Sequence, residues 1–191
     1  MKATFSFRAA LLAAGLALGA SVAAGPVLAA MEVMVGGAPM YASKNIIENA
    51  VNSKDHTTLV AAVKAAGLVD TLMGAGPFTV LAPTNEAFAA LPKGTVETLL
   101  KPENKGQLTT VLTYHVIAGK FSAQDIADKV DAGGGKAMIK TVQGEELTFE
   151  RRGKGHLTVT DSKGDVARIT IADVFQSNGV IHVINKVLLP S

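Results

Sequence analysis

The side chains most able to do chemistry in this 191-residue chain are four histidines, a few serines and sixteen carboxylates; there is no cysteine. Lack of cysteine excludes a disulfide framework, a Cys-based zinc or iron–sulfur site, a thiol nucleophile and an acylated lipoprotein cysteine. The histidines are His56, His115, His156 and His182. No pair has the four-residue spacing that sets two imidazoles on one face of a helix to share a zinc ion. His115 and His182 each read as lying inside a short apolar strand. A neutral imidazole there donates one hydrogen bond and accepts another, which suits a structural link. Serine catalysis needs a nucleophile beside a base. None of Ser43, Ser53, Ser122, Ser162, Ser177 and Ser191 sits in Gly-x-Ser-x-Gly, and most read as caps or turns. The carboxylates are scattered, and spacing alone leaves a glycosidase pair open, because its members meet only in the fold. Gly74-Ala75-Gly76 precedes a strand instead of following one, the wrong order for a dinucleotide loop. Gly133-Gly134-Gly135-Lys136 runs into Ala137, not Ser or Thr, and reads as a turn. The residues therefore assign no catalytic, cofactor-binding or metal-ligating group.

The elements that would position these side chains follow from periodicity. Ile46, Ile47, Ala50 and Val51 recur at helical spacing. A second helix is predicted from an Asp55 N-cap to Gly67, and Leu68–Met73 reads as a short turn. Phe78–Ala82 is a compact apolar strand stopped by Pro83. Thr84 is positioned to cap a short helix carrying Phe88. Helical texture continues through 96–100 and 108–112, and Tyr114–Ile117 reads as a short strand. Ser122 and Asp125 have capping-box spacing. From Met138 onward the chain reads as strands and turns. Asn178-Gly179 is a tight-turn dipeptide before Val180–Ile184, which is apolar on both faces and reads as a central buried strand. Helices first and strands last predict an α+β domain with a mainly antiparallel sheet.

Composition bounds the class. Residues are 48% hydrophobic and 18% charged, too apolar for a disordered chain. Residues 1–30 carry Lys2 and Arg8, an uncharged Ala/Leu/Gly run and a small-residue end, the order of a secretory signal peptide. Without those two cations the 18 Lys+Arg fall to 16 against 16 Asp+Glu. A near-neutral mature chain lacks the positive surplus of a nucleic-acid binder. The predicted organisation is a signal peptide at 1–30, an extended arm or linker at 31–42 and one domain at 43–190. The expected location is outside the cytoplasm, periplasmic or extracellular, with no stable membrane span after leader removal.

Three segments in order resemble the fasciclin domain family: Phe78 to Phe88, with Pro83 and Thr84 at its centre; Tyr114-His115-Val116-Ile117; and Asn178-Gly179 through His182 to Pro190. The resemblance covers about Ser43 to Pro190. It implies a compact wedge-like β core with short helices packed around it, no cofactor, and a non-enzymatic module contacting an envelope, matrix or cell-surface protein. It marks Tyr114 and His115 as candidate partner contacts; if both are buried, their role is instead to pin the strand to neighbouring elements. Phe78, Pro83, Thr84, Phe88, Asn178, Gly179 and His182 make physical sense as architecture. Two alternatives remain from the residues: a carrier of a small apolar ligand in a helix–sheet cleft, motivated by the apolar helices and adaptable methionines, and, more remotely, an envelope hydrolase.

Overall fold

The computed structural model describes residues 32–153 and 155–191; the predicted leader lies outside them. The chain opens with a hairpin, β1 (Val33–Val35) and β2 (Ala38–Met40). Helical elements follow: α1 (Ile46–Ala50), a 3-10 turn at Lys54–His56, α2 (Thr57–Ala66) and α3 (Val69–Met73). Strand β3 (Phe78–Pro83) leads to α4 (Asn85–Ala89), α5 (Thr95–Leu99) and α6 (Lys105–Tyr114). Then come β4 (Val116–Ala118), α7 (Ala123–Ala132), β5 (Lys136–Lys140), β6 (Glu146–Arg152), β7 (His156–Thr160), β8 (Val166–Gln176) and β9 (Gly179–Ile184).

The main sheet has seven strands in the order β4-β3-β9-β8-β7-β6-β5. Every pairing is antiparallel except β3 with β9. The fold class is the α+β arrangement expected. The two edge strands approach one another where the Val142 N–H donates to the Val116 carbonyl at 2.7 Å. Period-two alternation divides the inner strands between two cores. Val80, Ala82, Ile181 and Val183 face α1, α2, α4 and α6. Leu81, Ile184, Phe149 and Leu147 face the other way, onto Ile126 and Val130 of α7. Strand β9 is buried along its whole length, as a strand with apolar residues on both faces must be. Each large apolar side chain so buried stabilises the fold by about 1.5–3 kcal/mol.

Several local readings are corrected. Residues 33–40, read as part of an extended arm, form a hairpin whose Val35 and Met40 are buried in the helix-side core. Its turn is Gly36-Gly37, both at positive φ (59° and 77°), the geometry that favours glycine pairs in two-residue loops. Three-residue strands are too short to show a period. Leu68–Met73 is not a turn, since it carries helix α3. The second helix is capped at His56, because Lys54–His56 forms a separate 3-10 turn. Tyr114 ends a helix and His115 caps it, so neither lies in a strand.

The first signature block performs as its residues suggest. Thr84 adopts an extended conformation and its hydroxyl accepts the Ala87 N–H at 3.3 Å. Its own N–H donates to Ile184 at 3.3 Å, tying the α4 start to β9. Phe78, half-buried, and Phe88, buried, pack in the helix-side core. Thr84→Ala is expected to cost about 1 kcal/mol in urea unfolding, the usual loss for an N-cap. Thr84→Ser should recover most of it.

Candidate functional site

Tyr114 and His115 stand where α6 hands over to β4, and both are buried, at 0% and 2% exposure. The Tyr114 hydroxyl accepts the Ser162 N–H at 3.0 Å. It lies 3.0 Å from Ser162 Oγ and donates to the Glu146 carbonyl at 3.3 Å. Burial pushes the phenol above its usual range, so it stays protonated. Ser162 Oγ also donates to Glu145 at 2.5 Å, and Glu145 accepts from the Ser191 N–H and hydroxyl. The Ser162 hydroxyl, with the Ser191 and Gln143 donors, draws the Glu145 pKa down to about 2. This network joins the β5–β6 turn, the β7–β8 turn and the chain end.

His115 completes the same junction from the other side. Its Nδ1 lies 2.8 Å from the Val111 carbonyl, and its Nε2 accepts the Leu188 N–H at 3.0 Å. The proton therefore sits on Nδ1, and the ring is neutral. Burial pushes its pKa down to about 4. Asp161 pins the next residue, accepting the Leu189 N–H at 2.9 Å. Neither Tyr114 nor His115 presents a surface on which a partner could rest, because their polar atoms are spent on backbone groups of the chain itself. Of the two roles open to them, contact and structural, their burial matches the structural one.

The second block is equally internal. Asn178 Oδ1 accepts the Ile46 N–H at 3.0 Å, and Nδ2 donates to Leu72 and Gly74 carbonyls, each at 2.8 Å. One side chain thus holds the start of α1, the end of α3 and the β8–β9 turn together. His182, wholly buried in β9, accepts the Asp173 N–H on Nδ1 at 3.2 Å. Its Nε2 lies 2.9 Å from the Phe121 carbonyl and carries the proton. Burial lowers its pKa as well.

His56 was not singled out by its sequence context. Its Nδ1 meets Ser53 Oγ at 2.8 Å, the one Ser–His pair among the described residues with that geometry. Both residues are 3% exposed and border a cavity of about 30 Å³ walled otherwise by aliphatic groups such as Val35, Met40 and Leu59. The hairpin turn seals this corner: a Cβ on Gly36 would stand 2.4 Å from Ser53 Oγ. A nucleophile–base pair shut inside the core has no access to substrate. Among the described residues, no group of three or more His, Asp or Glu side chains could hold a metal ion.

The large open concavity lies elsewhere. A groove of about 610 Å³ runs between the hairpin exit and β8, bordered by Glu32, Met40, Tyr41, Ser43, Asp173 and Phe175. Phe175 is 41% exposed, with Lys120 Nζ 4.9 Å from its ring centre. Lys44 Nζ stands 4.8 Å from the Tyr41 ring. Asp173 has φ 59°, a left-handed conformation in a residue that is not glycine. It is held there by the His182 bond and by its own Oδ1, which accepts the Ala123 N–H at 2.7 Å. Sequence reasoning missed this site because its parts come from two segments 130 positions apart. The one local signal is Phe175, an aromatic side chain just past the register shift between Ile171 and Val174 of β8.

The model of the fasciclin domain matches residues 54–190. The chain belongs to the fasciclin domain family. It is 47% identical over 159 residues to Protein sll1483 of Synechocystis, covering 82% of this chain and 79% of that one. It is 42% identical over 135 residues to the transforming growth factor-beta-induced protein ig-h3 of Sus scrofa, covering 69% of this chain but only 17% of that longer protein. In fold it is similar to a FAS1 domain pair from the insect cell adhesion molecule fasciclin I, with TM-score 0.69 and 16% identity, over 76% of this chain and 51% of that one. The fasciclin match contains all three signature blocks. The hairpin and the Tyr41 side of the groove precede it.

Proposed function

We propose that this fasciclin domain is an exported, non-enzymatic binding module that contacts an envelope, matrix or cell-surface partner at the groove between the hairpin and β8. The observation that carries the reading is the contrast between the two regions. The signature polar groups are consumed inside the scaffold. The groove instead gathers an exposed aromatic ring, a second aromatic bearing a cation, two carboxylates and a backbone outlier. Exposed aromatic anchors supply much of the energy in protein contacts, and backbone strain concentrates at functional sites. The structural neighbour fasciclin I is named as a cell adhesion molecule, which favours contact over chemistry. Export follows from the charged, apolar, small-residue leader, and among the described residues no helix is long and apolar enough to cross a membrane.

The geometry does not favour a carrier of a small apolar ligand. The helix–sheet cleft holds two cavities of about 30 Å³ each, room for roughly one water apiece. A ligand pocket normally runs to about 300–1,000 Å³. A hydrolase is disfavoured by the sealed Ser53–His56 pair.

The test uses the full protein immobilised against the host's envelope fraction. Tyr41→Ser with Phe175→Ser should reduce retention roughly tenfold while leaving the urea midpoint nearly unchanged, because Phe175 is exposed. Tyr114→Phe, which removes only the buried hydroxyl, should retain the partner as the wild type does. Loss of retention in Tyr114→Phe at full folding, with the groove variant unaffected, would overturn the assignment.

A further inference from the structure

We propose that the groove is gated by protonation of His182, which releases the Asp173 corner of β8 from the conformation that shapes the site. The inference rests on the groove reading and names the regulation of that same site.

The buried ring and the open groove share one residue. Strand β8 pairs with β9 out of register between Ile171 and Val174, so Asp173 has no partner in the ladder. Its N–H donates instead to His182 Nδ1 at 3.2 Å. That bond, and the one from the Ala123 N–H to Asp173 Oδ1 at 2.7 Å, hold the residue at φ 59°. A left-handed backbone without glycine's freedom persists only while its surroundings impose it. Asp173 borders the groove, and so do the next two residues, Val174 and Phe175. The corner is therefore a hinge whose latch is buried and whose moving end lies at the site.

The latch has two states set by one proton. His182 Nε2 already carries a proton and donates it to the Phe121 carbonyl, which leaves Nδ1 the lone pair that the Asp173 N–H needs. A second proton can enter only at Nδ1. It turns the acceptor into a donor, so two N–H groups face one another and the Asp173 backbone loses its anchor. The charge of the Asp173 carboxylate favours the protonated ring. Drawing that carboxylate toward Nδ1 takes it from the Ala123 N–H, the second of the two bonds that hold the corner. The Phe121 bond is the same in both states, so the change passes to β8 and not to the loop at 119–122.

Few other charges bear on the ring. Strand β3 and the rest of β9 bring no ionisable side chain to it. The loop brings Lys120, whose Nζ rests over the Phe175 ring, and the start of α7 brings Asp125, already bonded to the Ser122 hydroxyl at 2.6 Å. Burial outweighs the attraction of Asp173 and keeps the ring neutral at neutral pH. The groove is thus formed at neutral pH and released in acid, below the ordinary histidine range.

The experiment follows the full protein by nitrogen–proton spectra as pH is lowered from 7, with retention of the host's envelope fraction on immobilised protein measured in parallel. The Asp173 and Ala123 amide signals should move with the midpoint of the His182 ring while the spectrum stays dispersed. Retention should fall roughly tenfold across that midpoint. Asp173→Asn keeps the left-handed preference and an oxygen for the Ala123 N–H but removes the charge that favours the protonated ring. Its ring midpoint and its release midpoint should shift together to lower pH. His182→Asn, whose side-chain oxygen can accept the Asp173 N–H at every pH, should retain the envelope fraction undiminished in acid. The gate is overturned if His182 titrates with both amides unmoved, if the ring is charged only as the whole fold unfolds, or if retention does not change across the ring's midpoint. An unshifted release midpoint in folded Asp173→Asn overturns it too. Those results leave the groove reading standing, whereas absence of retention at pH 7 overturns the groove reading and the gate with it.

Discussion

Lowering the pH from 7 to 4 is expected to weaken the folded protein by about 3 kcal/mol through His115 alone. The ring is neutral in the fold because burial outweighs the bond to the Val111 carbonyl, and the Leu188 N–H donated to Nε2 also requires that nitrogen to be unprotonated; its pKa is pushed down to about 4 from the ordinary 6.5. In the unfolded chain the same ring protonates near the ordinary value. Between those limits the unfolded state binds more protons than the folded one, so stability rises with pH and is lost as pH falls through the window. His56 and His182 are lowered by the same cause and add losses of the same sign. The facing charges oppose the effect only weakly: Asp161 beside His115, Asp173 beside His182 and Asp55 beside His56 each favour the charged ring less than burial disfavours it. Glu145 acts in a separate window. Its stabilising contribution is complete above the ordinary carboxylate range and disappears as pH falls toward about 2. Urea midpoints from pH 7 to 4 measure the histidine part. His115→Gln should begin about 3 kcal/mol less stable at pH 7, since the Val111 carbonyl and the Leu188 N–H lose buried partners at about 1–3 kcal/mol each. It should then lose less on acidification. A wild-type midpoint that does not move through the window would contradict the assigned burial.

Gly179→Ala should be at least as damaging, although it removes no hydrogen bond. An ideal Cβ at Gly179 would stand 2.1 Å from the Phe78 carbonyl oxygen and 3.0 Å from its carbon. These are backbone atoms of the paired strand β3 and cannot rotate away. The methyl group can be admitted only by parting β3 from β9 where the two strands begin. The same step would disturb Asn178, whose carbonyl accepts the Phe78 N–H at 3.1 Å. The expected cost is about 4 kcal/mol or more, at the upper end for one substitution. Asn178→Ala should cost about 3 kcal/mol, from three lost side-chain hydrogen bonds at about 1 kcal/mol each. Gly179→Ala near wild-type stability in urea unfolding would show that the two strands are not so closely apposed.

Gly179 also shows why a correct reading can rest on the wrong cause. Asn178-Gly179 suggests a turn in which glycine supplies a positive φ. In the structure Gly179 begins β9, and its lack of a side chain serves the close approach of β3. Sequence spacing carries no information about a strand 100 positions earlier. Thr84 and Ser122 were legible because capping is decided within four residues, and both caps form as read. Val180–Ile184 was legible because burial on both faces leaves an unbroken apolar run. Tyr114-His115 misled in the opposite way. Its aromatic and β-branched neighbours suggest a strand, but tertiary packing of Leu108, Val111 and Leu112 extends α6 through Tyr114. The groove was illegible for a topological reason, since Tyr41 and Phe175 meet only when the hairpin folds back over β8.

The central claim is that the family's polar signature is scaffold, with its protons fixed inside the fold. Long-range nitrogen–proton spectra of histidine-labelled protein address it ring by ring. The account predicts a neutral His115 protonated on Nδ1 and unchanged from pH 7 to 5, and a His182 protonated on Nε2 at pH 7 that titrates below the ordinary histidine range. Averaged tautomers, or titration of either ring near 6.5, would place it in water and contradict the claim.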